Sequence, residues 1–137
     1  GSFPTVEAAA AAMRAISAGF GPHTDEEWLA LSRPMLRPDG QGGWRLHYDP
    51  AIAVPYATVT EASAAAGEAA LWNLYDHVRA QTLLLRGADS DLLTAETAAA
   101  MTQRGPRARL VEFAGVGHAP TLVAPDQVAE VVRFLLG

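Results

Sequence analysis

The strongest constraint in this sequence lies in its C-terminal part, where two strand-like runs alternate with two helix patterns. Thr82-Leu83-Leu84-Leu85-Arg86 is the first run and Ala108 to Phe113 the second. The continuous apolar character of the first suits a strand covered on both faces, not one with a face in water. Between them Thr94 can cap a helix reaching about Arg104, and Gly105-Pro106 turns the chain. Pro125-Asp126 then opens a final helix to about Leu136, with Val128, Val131, Val132, Leu135 and Leu136 on its apolar face. Strand, helix, strand, helix predicts a parallel pair joined by a right-handed crossover. Reactive groups of such sheets sit just beyond the C-terminal ends of the strands. The sequence puts Gly87-Ala88-Asp89-Ser90-Asp91 after the first strand and Gly115-Val116-Gly117-His118 after the second.

Two parallel strands with two helices are too few for a stable sheet, because strands this apolar need neighbours on both edges. Residues 1–80 offer no other convincing core strand. Thr5 can cap a helix through about Ser17, and Gly21-Pro22 breaks the chain. Thr24-Asp25-Glu26-Glu27 has the form of a capping box, opening a short helix that carries Trp28, Leu29 and Leu31 and ends at Arg33-Pro34. Arg37 to Gly43 is turn chemistry, Trp44 to Asp49 alternates as a short extended segment, and Asp49-Pro50 and Val54-Pro55 call for extended or turn backbone. A helix is expected from about Glu61 to His77, with Leu71, Trp72, Leu74 and Tyr75 near its end. Trp28, Trp44, Trp72 and Tyr75 read as packing or as the wall of a pocket. The chain is therefore expected to be part of a larger fold, divided near residue 80.

Composition narrows the function classes. Half of the 137 residues are hydrophobic, enough for a core, and the absence of cysteine excludes disulfides and thiolate metal sites. The net charge of −5 and ten scattered arginines, with no lysine, argue against nucleic-acid binding. No run approaches the roughly 20 apolar residues of a membrane-spanning helix, and no basic-then-apolar leader opens the sequence. The expectation is a soluble, cytoplasmic protein with no nucleic-acid or membrane partner. His23, His47 and His77 are scattered without metal-ligand spacing, and Asp89-Ser90-Asp91 opens like a calcium loop but lacks its glycine and closing glutamate. No metal is expected.

The acid and histidine loops resemble those of the α/β-hydrolase family. There a serine on a G-x-S-x-G elbow comes first, an acid follows a later strand, and a histidine follows the last. The strand leading to Gly87-Ala88-Asp89-Ser90-Asp91-Leu92-Leu93 looks like the acid-bearing segment, and Gly117-His118-Ala119-Pro120 like the histidine loop. The resemblance implies an α/β fold of incomplete α/β-hydrolase type, with a helical lid (cap) segment at 1–80 and the C-terminal part of the core, a βαβα portion of the parallel sheet, at 81–137. It also implies a catalytic His118, oriented by Asp91 or by Asp89. Ser90 stands where many members carry the acid; Asp91 is favoured because Ser90-Asp91-Leu92-Leu93 resembles a recurring variant. Ala15-Ile16-Ser17-Ala18-Gly19 fits a loose elbow, but its surroundings are helical, so Ser17 reads as a helix-end serine and the nucleophile is expected outside this chain.

The resemblance implies an esterase-like hydrolase of a small acyl substrate, without a cofactor, active when intact and inactive as this chain alone. Carbon–carbon bond hydrolases, enol-lactonases, epoxide hydrolases and haloalkane dehalogenases would keep the same pair, the last two with an aspartate nucleophile. The competing expectation is a non-catalytic half-fold or interaction module that pairs with a second chain. In either case the strand edges call for a cover, from the missing N-terminal half or a homo-oligomeric partner.

Overall fold

Threonine side chains start four of the helices. The hydroxyls of Thr5, Thr24, Thr60 and Thr94 accept amide protons from Ala8, Glu27, Ser63 and Thr97, at the heads of α1 (Val6–Ile16), α2 (Asp25–Ser32), α3 (Glu61–Asp76) and α4 (Ala95–Gln103). Each cap satisfies an amide that the helix cannot pair internally. Helix α5 (Pro125–Leu136) opens with proline instead, which needs no such partner. The computed structural model describes residues 1–137.

The first half contains a small sheet that the sequence does not announce. β1 (Ser2–Phe3), β2 (Leu36–Pro38) and β3 (Trp44–Leu46) pair antiparallel in the order β1-β3-β2. Its hairpin is closed by Asp39, whose Oδ1 accepts from the amides of Gln41 at 2.7 Å and Gly43 at 2.9 Å. The turn chemistry of residues 37–43 is thus the tip of a hairpin. Val6 and Ala9 of α1 and Leu36 of β2 form a buried cluster, against which Phe3, Leu29, Trp44 and Leu46 pack. Burying a residue such as Leu36 is worth roughly 1.5–3 kcal/mol.

A second correction concerns residues 50–58. The two prolines suggest extended or turn backbone, yet Pro50–Thr58 forms a 3₁₀ helix capped by Asp49, whose carboxylate accepts from the Ala51 amide at 2.9 Å. Proline's fixed φ suits the first position of a helix as well as a turn.

The second half follows the expected pattern. β4 (Leu83–Gly87) and β5 (Arg109–Phe113) pair in parallel, from Leu83 opposite Arg109 to Gly87 opposite Phe113. Ala98 of α4, Ala108 and Phe113 are buried beside them. Leu83, Leu84 and Leu85 are only half-buried, not covered as their apolar continuity predicts, because each strand has a single neighbour.

Helix α3 has no buried residue and is held at its C-terminal end. The Tyr75 hydroxyl donates to the Met101 carbonyl at 2.8 Å, and Arg104 grips Asp76 with two nitrogens while lying 4.2 Å from the centre of the Trp72 ring. Leu71 and Leu74 remain exposed. No helix is long and apolar enough to cross a membrane.

Candidate active site

Two loops leave the C-terminal ends of β4 and β5, and backbone bonds stitch them together. Beyond β4 the Ala88 amide donates to the Phe113 carbonyl at 2.9 Å and the Asp89 amide to the Val116 carbonyl at 3.0 Å. Gly87 permits this approach, since a Cβ there would overlap the carbonyls of Val116 and Gly117. The loop then turns tightly: the Ser90 amide donates to the Gly87 carbonyl at 3.0 Å, and the Ser90 hydroxyl accepts from the Leu93 amide at 3.0 Å. Asp91 lies at the crest of this turn.

A buried cation fixes the turn from beneath. Arg86 is 7% exposed; its Nε donates to the Leu93 carbonyl at 2.7 Å and its Nη1 to Glu112 at 2.5 Å. Glu112 is its neighbour across the parallel pair, so one guanidinium ties the acid loop to both strands.

The histidine loop is pinned by the chain's first half. The Gly117 amide donates to the Gly19 carbonyl at 2.5 Å, and a Cβ at Gly117 would meet that same oxygen. Phe20 presents its ring at 6.2 Å and 89° to the ring of His118. His23 spans from the Gly21 carbonyl to the Thr121 hydroxyl, three residues beyond His118, and lies against Trp28.

The two loops bring Nδ1 of His118 within 3.3 Å of Oδ1 of Asp91. The side chains are 47% and 80% exposed, so the pair is open to solvent, where a charge pair is weak. Asp89 is exposed and its carboxylate joins no ion pair, so Asp91 is the acid that meets the ring. A ring whose Nδ1 lies nearest the carboxylate keeps Nε2 for other chemistry.

The serines stand elsewhere. Ser17 caps the C-terminus of α1, its amide donating to the carbonyls of Met13 and Arg14, with no strand leading into it. Ser2 bonds Asp39, Ser63 bonds Thr60, Ser90 closes the acid turn, and Ser32 is fully buried. None bonds His118. No group of three or more His, Asp or Glu side chains could hold a metal ion.

Arg86 and His23 were not legible as parts of this arrangement. A charged residue ending an apolar strand was the one available signal for Arg86. His23 has no local signal, since its partner Thr121 is 98 residues away.

Helices beside a parallel β4–β5 pair, with the Asp91 and His118 loops at one edge, define a partial α/β-hydrolase fold. The chain belongs to the alpha/beta hydrolase family, whose model matches residues 1–131. It is 46% identical over 138 residues to a 3-hydroxybutyrate-oligomer hydrolase of Cupriavidus necator, covering 98% of this chain and 47% of that protein. An alpha/beta hydrolase structure from Novosphingobium aromaticivorans matches 99% of this chain and 47% of its own with a TM-score of 0.78 at 31% identity. E-2-(acetamidomethylene)succinate hydrolase shares the fold with a TM-score of 0.74 at 21% identity, over 100% of this chain and 47% of its own. The chain spans about half the length of the relatives it matches.

Proposed function

We propose that this chain supplies the base and the orienting acid of an esterase-like hydrolase, which acts on short ester oligomers of a hydroxy acid. The carrying observation is the approach of His118 to Asp91 at the C-terminal ends of adjacent parallel strands. In this reading a serine outside residues 1–137 attacks the ester carbonyl while His118 Nε2 takes its proton. The same proton then passes to the departing alkoxide, and water repeats the sequence on the acyl-enzyme. Asp91 holds the ring in one tautomer and stabilises the imidazolium.

The 46% identity to a 3-hydroxybutyrate-oligomer hydrolase supports the substrate class. The single-neighbour strands and the exposed Leu135 and Leu136 of α5 support further packing by residues beyond this chain, which would also shield Asp91. Residues 1–80 then act as the lid segment and 81–137 as the end of the core. The chain alone lacks a nucleophile and is inactive in this account.

Labelling of the full-length protein with a fluorophosphonate probe tests the assignment. The account expects one labelled serine, outside these residues. Labelling at Ser17, or no labelling of an active preparation, overturns it.

A further inference from the structure

We propose that His23 is a positioning residue for His118, holding the loop that carries the base through a hydrogen bond to Thr121. The inference rests on His118 being the base.

The chemistry of the contacts fixes the direction of the bond to Gly21 and, for the neutral ring, of the bond to Thr121. Nδ1 of His23 lies 2.8 Å from the Gly21 carbonyl, which can only accept, so Nδ1 carries a proton. In the neutral ring Nε2 is then the acceptor, and the Thr121 hydroxyl donates to it at 2.7 Å. Both nitrogens are engaged, so His23 is not a spare base.

The ring is itself immobilised. It lies 5.2 Å from the Trp28 ring, and Trp28 is 5% exposed. Trp28 stacks on Phe20 at 6.0 Å, and Phe20 reaches the His118 ring from the side. On the backbone, Gly19 receives the Gly117 amide. Residues 19–23 therefore grip the loop on both sides of His118, at Gly117 before it and at Thr121 after it.

The second grip lies beside a strained residue. Leu122, next to Thr121, has φ of 59°, a left-handed conformation that its side chain disfavours. Its amide donates to Oε1 of Gln127, a residue only 3% exposed, at 2.8 Å. A strained residue persists where its surroundings over-determine it. Here two bonds meet the turn, one from His23 to the Thr121 hydroxyl and one from Gln127 to the Leu122 amide.

The test uses the full-length protein and p-nitrophenyl butyrate. His23→Phe keeps a ring against Trp28 and removes both hydrogen bonds; Thr121→Val removes the hydroxyl at nearly constant shape. Each is expected to lower kcat by about 10- to 100-fold, the scale of a displaced reacting group, with KM changed by less than about twofold. The double variant should lose no more than the worse single one, because both cut the same bond. Thr121→Ser, which retains the hydroxyl, should recover most of the lost kcat. Equal kcat for Thr121→Val, Thr121→Ser and the parent overturns the proposal, as do losses that multiply in the double variant. If His23→Phe does not fold, the Val and Ser pair at 121 decides alone. His118→Ala is measured alongside. Retained activity in it brings down the base assignment and this inference together, whereas an inactive His118→Ala beside an unaffected Thr121→Val brings down this inference only.

Discussion

Asp91 and His118 approach to 3.3 Å although helix α4 and strand β5 separate them in the chain. The meeting depends on parallel register: Gly87 and Phe113 stand opposite each other at the strand ends, so the two loops begin at the same level. From there the Asp89 amide binds the Val116 carbonyl and draws the loops together.

The choice between the two carboxylates is testable. Asp91→Asn should reduce kcat of the full-length enzyme by about 10⁴-fold, as expected when the orienting acid of a triad is neutralised. Asp89→Asn should stay within about threefold, since Asp89 contributes its backbone and not its carboxylate. Steady-state kinetics of the two variants separate them, and the reverse ranking contradicts the assignment.

Gly87→Ala should be more damaging than an ordinary glycine substitution. The new methyl would occupy the place of the Val116 and Gly117 carbonyls, which are backbone and cannot swing aside. Forcing atoms into a packed site costs about 1–3 kcal/mol or more. Urea denaturation should show that loss, together with lower kcat because the histidine loop is displaced. Gly67→Ala, at an open helical position, serves as the control.

Arg86→Lys should also be costly despite keeping the charge. A lysine cannot donate to the Leu93 carbonyl and to Glu112 in the fixed fork of a guanidinium. Losing one charge-assisted bond at this buried position costs about 1–3 kcal/mol. The expected readout is a lower urea midpoint; an unchanged midpoint with unchanged kcat would show that the acid loop does not need this tie.

Acid should weaken the fold through five carboxylates held below their ordinary pKa, Glu7 and Glu96 by bonds within their own helix starts and three others by partners elsewhere. The Arg104 guanidinium holds Asp76 below its ordinary pKa, the hydroxyl of Ser2 and then the amides of Gln41 and Gly43 do so for Asp39, and Arg133 and then Arg109 for Glu130. A carboxyl with a depressed folded pKa stabilises the fold above its unfolded pKa and loses that contribution as pH falls through the folded value. Thermal midpoints should therefore be level above the ordinary carboxylate range of about 4 and decline below it. Asp76→Asn should flatten part of the decline; a midpoint that rises on acidification would contradict these pairings.

How much of this was legible depends on range. Capping is local, so Thr5, Thr24 and Thr94 announced their helices, and the ends at Gly21-Pro22 and Arg33-Pro34 followed. β4 was visible because Leu83, Leu84 and Leu85 in succession before Arg86-Gly87 have few alternatives, and β5 because Leu110, Val111 and Phe113 follow the Gly105-Pro106 turn at strand length. β1 and β2 were not, since two or three residues carry no periodicity and become strands only by pairing with β3. Leu83, Leu84 and Leu85 read as fully covered but are half-buried, because cover depends on neighbours that a strand's own residues do not specify. Asp91 and His118 could be placed at one edge by strand order alone. Their support could not: Arg86 reaches a carbonyl seven residues away, and His23 reaches across most of the chain.

The most direct measurement is kcat of the full-length His118→Ala variant on a 3-hydroxybutyrate dimer, with folding checked by circular dichroism. The account predicts a loss of about 10⁴- to 10⁶-fold, as when the base of a triad is removed. A folded variant within about tenfold of the parent would contradict the claim that His118 is the base.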